Sequence, residues 1–116
     1  MNSIFSQNKE VSMNNVQMEA VFLRFLFECD KKQGQYVIST VTNSQAKAII
    51  EIAHNLLHLP LTGHLKKGLE ANSPLLKKLS NNKRTFDEKK ALIHKRHSEI
   101  YKILLIFNKI ISHIIN

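Results

Sequence analysis

Apolar residues recur every three or four positions through much of this chain, which is the spacing of one face of an α-helix. One such set comprises Ala46, Ile49, Ile50, Ala53, Leu56 and Leu57, and a second, spaced by seven, comprises Phe86, Ile93, Ile100, Phe107 and Ile114. Only three Gly and two Pro occur among the 116 residues, too few for the turns of a many-stranded sheet. We therefore predict an all-α fold, a compact bundle of roughly four to six helices with a long C-terminal helix.

Local signals place the helix ends. Thr42 and Thr85 are each followed three residues later by a Gln or a Glu, the pattern of a capping box. Asp30 is a suitable N-cap for a short helix, and Ser73-Pro74 is typical of a helix start with Ser as the cap. Pro60 disfavours the α conformation at the residue before it and so ends a helix there.

The order of these signals predicts a flexible tail over residues 1–13 and a single helical domain over residues 14–116. We expect the helices Val16–Cys29, Ala46–Leu57 and Thr85–Ile115 to form the core. The helix Val16–Cys29 is apolar around most of its circumference, which is typical of a buried helix. We therefore expect Phe25→Asp to unfold the protein. We expect the same of Ile50→Asp in the second core helix. Residues 31–41 fit either a helix or a strand, because a glycine weakens the helix and Tyr-Val-Ile favours a strand.

Cysteine usage and the N-terminus indicate an intracellular protein, in the nucleus or the cytoplasm. The single cysteine, Cys29, excludes an intrachain disulfide, and the polar start does not resemble a signal peptide. The cysteine lies in an apolar run, which favours a buried structural thiol. That run is too short to cross a bilayer, so no transmembrane segment is expected.

The net positive charge of the chain comes entirely from its C-terminal half. Residues 1–60 contain five Lys or Arg and five Asp or Glu, whereas residues 61–116 contain twelve and four. Such asymmetry indicates an anionic partner, and we predict that nucleic-acid backbone binds here without sequence preference. No aromatic residues interleave with these cations, so base stacking is not indicated. The predicted contact residues are Lys66, Lys67, Lys77, Lys78, Lys83, Arg84, Lys89, Lys90, Lys95 and Arg96.

Two alternatives remain open for the same residues. In the first alternative, the lysines are the solvent-exposed faces of short helices. The protein would then bind an acidic or helical protein partner. In the second alternative, the last helix self-associates through apolar residues at a seven-residue spacing. The same residues could instead pack on the N-terminal helix or lie in a membrane interface. The residues of this possible homo-oligomer seam are Ile100, Ile103, Phe107, Ile111 and Ile114.

Catalysis and metal binding have little support in the sequence. There is no phosphate-binding glycine loop and no nucleophile elbow, and the acidic residues are explained by capping and ion pairing. We therefore expect no enzyme activity, no catalytic residues and no cofactor. His54 and His58 are spaced to share a metal with His64, but neither a Cys pair nor an H-E-x-x-H motif supports such a site, and none is predicted.

Several short motifs follow the N-terminal apolar helix along residues 16–96, and they are Asp30–Gln33, Thr42–Gln45, Ile49–Leu57, Leu59–Leu61, Leu76–Leu79 and Lys89–Ile93. Their order resembles that of a family of small basic proteins encoded by adintoviruses and Maverick/Polinton elements. The resemblance implies a role in genome packaging, like that of a viral core protein, or an accessory role against the host. It carries over no functional residue.

Overall fold

A computed structural model describes the backbone of residues 13–115 and the side chains of residues 13–112. Within that part of the chain all regular structure is helical, which confirms the all-α prediction. The eight helices are α1 Asn14–Met18, α2 Ala20–Glu28, α3 Lys31–Ile38, α4 Asn43–His58, α5 Gly63–Glu70, α6 Ser73–Ser80, α7 Phe86–Lys95 and α8 His97–Ile115.

The predicted caps are confirmed at three helix starts. The Thr42 hydroxyl accepts the N–H of Gln45 at 3.2 Å, and the Gln45 side chain accepts the N–H of Thr42 at 3.0 Å. Thr85 and Glu88 form the same box at the start of α7. The Asp30 carboxylate accepts the N–H of Gln33 at 2.8 Å. Each bond satisfies a backbone donor that the first turn of a helix leaves unpaired.

The prediction of four to six helices is too low, because two predicted helices each bend into two. The first bends at Glu19 (φ −106°, ψ 27°) and the last at Arg96 (φ −105°, ψ 36°). At the first bend α1 turns onto α4 while α2 turns onto α8. At the second, α7 stays on α4 and α6 while α8 crosses to α3 and α5. Each bend lets one apolar stretch cover two different neighbours.

The cap of α6 differs from the predicted one. Ser73, the predicted cap, is the first helical residue, and Asn72 occupies the cap position before it.

Residues 31–38 form a helix, which removes the strand alternative for this segment. The helix packs against α8 with Gly34 facing the ring of Tyr101. A side chain on residue 34 would overlap that ring, because an added Cβ would lie 2.2 Å from Tyr101 Cε1. The glycine that weakens the helix in sequence therefore allows the close approach of α3 to α8.

Helix α4 lies at the centre and contacts α1, α6, α7 and α8. The radius of gyration, 13.2 Å, agrees with the roughly 13 Å expected of a compact domain of about 100 residues. Each of the eight described helices contributes buried apolar side chains to one core, and the largest that are fully buried are Leu26, Ile38, Ile49, Ile52, Leu76, Leu79, Ile93, Ile100, Leu104, Phe107 and Ile110.

The apolar N-terminal segment is buried on one side only, contrary to the prediction. Leu23 and Leu26 of α2 are buried, whereas Met18, Val21 and Phe25 are 76%, 85% and 45% exposed. Val21 and Phe25 are four residues apart on α2 and therefore share one helix face, and Met18 is the last residue of α1, just before the bend. The expectation that Phe25→Asp unfolds the protein consequently loses its basis.

The C-terminal helix packs inside the fold. Ile100, Ile103 and Phe107 are almost completely buried among side chains of the same chain, so in this fold they cannot form the predicted seam between copies. Ile111 is half-buried at the rim of the core, and the side chain of Ile114 lies outside the described residues, as do residues 1–12 of the predicted tail. Among the described residues no helix has the length and apolar character needed to cross a membrane.

Candidate functional site

The ten basic residues singled out by the sequence lie on α5, on α6, in the loop that follows it, and on or just after α7. Four of them, Arg84, Lys89, Lys90 and Arg96, are half-buried. The remaining six, which are exposed, are Lys66, Lys67, Lys77, Lys78, Lys83 and Lys95.

Seven of these cations lie on adjacent elements, because α6 and α7 contact each other and both contact α4. We call this set the basic face, and it comprises Lys77, Lys78, Lys83, Arg84, Lys89, Lys90 and Lys95. The structure places Lys66 and Lys67 elsewhere, on α5, which packs against α8. Arg96 is at the bend after α7, where its guanidinium forms an ion pair with Glu99. The predicted set therefore comprises a main group of seven residues and three residues outside it.

Two lysines of α7 point toward α4. The Lys90 ammonium donates to the Asn43 side-chain oxygen at 2.7 Å, in the first turn of α4. Lys89 lines a cleft between α4, α6 and α7. Burial lowers the pKa of the Lys89 ammonium, because removing a charged group from water disfavours its charged form.

This cleft, which we call the α4–α6–α7 cleft, has a volume of about 370 Å³. Its size falls in the range of small-molecule sites, about 300–1,000 Å³. Apolar walls and several polar groups line it together. The lining residues are Asn15, Lys47, Ile50, Glu51, His54, Leu79, Ser80, Asn82, Phe86 and Lys89.

One end of the cleft is basic. Lys47 of α4 and Lys89 of α7 both line it, beside the half-buried ring of Phe86. The Lys47 ammonium lies 5.8 Å from the centroid of that ring, near the outer limit of about 6 Å for a cation–π contact. Between described residues, neither lysine forms an ion pair with a carboxylate. Two ammonium groups beside an aromatic surface are a suitable environment for an anion with an aromatic part.

The other end of the cleft is polar without being basic. The His54 ring nitrogen Nδ1 and the Ser80 hydroxyl lie 2.9 Å apart. Glu51 accepts the N–H of Val16 at 2.9 Å and the side-chain N–H of Asn15 at 3.3 Å. The carboxylate thus holds the start of α1 against α4. Glu51 is one helical turn from Lys47 on α4, so its negative charge lies between the basic end of the cleft and the His54–Ser80 contact.

The histidines do not assemble a metal centre among the described residues. The rings of His54 and His58 are close, with centroids 4.3 Å apart, but His58 Nδ1 lies 2.8 Å from the His54 carbonyl oxygen. His64 lines a separate cavity beside Lys109. No group of three or more His, Cys, Asp or Glu in the described part of the chain is arranged to hold a metal ion.

Sequence reasoning missed two residues of the cleft, Lys47 and Phe86. Lys47 lies in the neutral half of the chain, and Phe86 belongs to the apolar seven-residue series. The absence of aromatics among the lysines therefore does not hold in space. The one signal in the sequence was Lys47 itself, a charged residue between apolar positions of the α4 pattern.

No protein-family model matches this chain, and comparisons with curated proteins and with solved structures gave no match either.

Proposed function

We propose that the protein binds the phosphate backbone of nucleic acid, without sequence preference, through the basic face. The observation that carries this proposal is the grouping of seven cations on α6, α7 and the loop between them. Cations that neutralise phosphates release condensed counterions, and this release supplies a sequence-independent affinity.

Nearby acidic residues compensate few of these cations. Of the four acidic residues after position 60, Glu88 serves the capping box of α7 and also lies near Arg84, whereas Glu99 pairs with Arg96 outside the basic face. The other two, Glu70 and Asp87, are exposed. The basic face therefore carries a net positive potential, which attracts polyanions.

A second candidate function is a protein-interaction module, and the exposed side chains of Met18, Val21 and Phe25 favour it. A protein partner would cover such an apolar face, and the lysines would then serve solubility. This alternative places the functional surface on other residues, those of α1 and α2, so substitutions distinguish the two.

The nucleic-acid proposal is tested by fluorescence anisotropy on a mixed-sequence DNA duplex at two salt concentrations. The variant replaces four exposed lysines by Gln, namely Lys77, Lys78, Lys83 and Lys95. We expect weaker binding, and a slope of log K against log salt that is reduced by about 0.9 for each phosphate that the variant no longer neutralises.

The control for charge compares two double variants, Lys77→Gln with Lys78→Gln in the basic face and Lys31→Gln with Lys32→Gln on α3 outside it, because each loses two exposed charges. Equal reductions in affinity for the two variants would contradict a localised site, since net charge alone would then explain the binding. If the unaltered protein binds no duplex at low salt, the nucleic-acid proposal fails and the interaction module remains.

The wider role that we propose is packaging of a viral or mobile-element genome inside the cell, as the resemblance to adintovirus and Maverick/Polinton proteins implies. Binding without sequence preference suits that role, because a packaging protein covers any stretch of its genome. A non-enzymatic mode of action fits the same proposal.

A further inference from the structure

We infer that the α4–α6–α7 cleft binds one nucleotide unit of a single strand, with the phosphate between Lys47 and Lys89 and the base against Phe86. This inference rests on the proposed function, because it assigns to nucleic acid a specific place next to the basic face. It adds a preference for single strands that a basic surface alone does not have.

The arrangement of charges in the cleft calls for an anion. Lys47 and Lys89 come from two different helices and line one cavity, and like charges that share a cavity favour an anion between them. Glu51, one helical turn from Lys47, accepts hydrogen bonds from Val16 and Asn15 of α1. Lys89 is also partly desolvated, which disfavours its ammonium form. A phosphate at this end would compensate both costs.

The aromatic surface beside these cations suits a base. Phe86 packs against the hydrophobic core while part of its ring lines the cleft, so the ring is a fixed platform. Stacking of a base on an aromatic side chain tolerates any sequence, because every base has a π-face. The contact from Lys47 is near its distance limit, so a base can replace that ammonium over the ring at little cost.

A single strand fits this site better than a duplex. Bases in a duplex are stacked on each other, whereas unpaired bases can turn out onto an aromatic side chain. Asn82 and Ser80 line the cleft and offer groups that both donate and accept hydrogen bonds, so they can meet any base edge. The Glu51 carboxylate, one helical turn along α4 from Lys47, disfavours a second phosphate farther along this helix.

The experiment measures binding of a labelled mixed-sequence DNA strand of about twelve nucleotides, a length within the range of small single-strand-binding domains. The duplex of the same sequence is measured beside it. The variants are Phe86→Leu, which keeps an apolar side chain in the core, and Lys47→Gln, which changes an exposed residue. We expect Phe86→Leu to weaken single-strand binding by roughly 5- to 100-fold and duplex binding by less than about twofold.

Lys47→Gln tests the site even if Phe86→Leu impairs folding, because the exposed Lys47 side chain lies outside the core. We expect it to weaken single-strand binding and to reduce its salt slope by about 0.7. Lys31→Gln is the control and should change neither quantity.

The outcomes separate this inference from the proposed function. If duplex and single strand bind equally, and Phe86→Leu and Lys47→Gln leave both affinities unchanged, the inference is overturned while backbone binding by the basic face stands. If the unaltered protein binds neither nucleic acid at low salt, both are overturned.

Discussion

Gly34 shows how one residue can matter through the space that it leaves empty. In a helix interior Ala is favoured over Gly by about 1 kcal/mol, so helix propensity alone predicts that Gly34→Ala stabilises the protein. The Cβ of that alanine would lie 2.2 Å and 2.7 Å from two ring atoms of Tyr101. We expect the steric effect to win and the free energy of unfolding to fall by about 1–3 kcal/mol, as measured by urea denaturation.

Gly68 of α5 provides the matched control for this prediction. A Cβ there would lie 3.3 Å from Ile106 Cδ1, which is the far end of a flexible side chain. Gly68→Ala should therefore be neutral or stabilising, by up to about 1 kcal/mol. Equal stability of the two variants would contradict a steric overlap at residue 34.

The surroundings of Cys29 lower the reactivity of its thiol. It is half-buried, and its thiol donates to the Leu26 carbonyl oxygen at 3.4 Å. Burial, with the nearby Asp30 carboxylate, raises the pKa of the thiol. Because the thiolate is the reactive form, this cysteine is a poor nucleophile at neutral pH.

At the scale of a helix, the two capping boxes differ in one respect that can be measured. The box of α4 closes with Gln45, which does not titrate, whereas the box of α7 closes with Glu88. Hydrogen bonds from the backbone N–H and then the hydroxyl of Thr85 lower the pKa of Glu88. A lowered pKa in the folded state stabilises the protein above the unfolded-state pKa, and the gain disappears as the pH falls through the folded-state value.

We therefore expect Glu88→Gln to remove one acid-labile contribution while keeping the capping box. The difference in melting temperature between the natural protein and this variant should be constant at neutral pH. It should begin to change below about pH 4.5, the ordinary pKa of Glu. Circular dichroism melts from pH 7 to pH 3 measure it, and a difference that stays constant over the whole range would contradict the assignment.

At the scale of the whole molecule, α2 packs on the core with one face only. Leu26 is 0% exposed and Phe25 is 45% exposed, although they are neighbours in an apolar run. We expect Leu26→Asp to unfold the protein, because a buried carboxylate without a partner costs several kcal/mol. Phe25→Asp should cost only about 1 kcal/mol, since roughly half of its apolar surface is already in water.

Far-UV circular dichroism with thermal melts checks the pair. The expected result is a helical spectrum and a melting temperature close to that of the natural protein for Phe25→Asp, and loss of helicity for Leu26→Asp. Unfolding of both variants would show that another contact covers Phe25 in solution.

The sequence by itself determined the helical class and three of the eight described helix starts. Thr42 with Gln45, Thr85 with Glu88, and Asp30 with Gln33 are local hydrogen bonds within three residues, so their geometry follows from nearby residues alone. The charge of the C-terminal half is equally a property of the sequence. Of the candidate site, the lysines of α6 and α7 were predictable for this reason.

Only the tertiary structure decided which faces are covered and which distant residues meet. The bends at Glu19 and Arg96 arise because each apolar stretch packs on two different neighbours, and no local signal marks them. The outward face of α2 could not be predicted, since apolar residues occur on nearly all its sides. Lys47 approaches Phe86 because α4 packs against α7. Contacts between residues far apart in sequence depend on how the helices pack, and the helical periodicity of each segment does not contain that information.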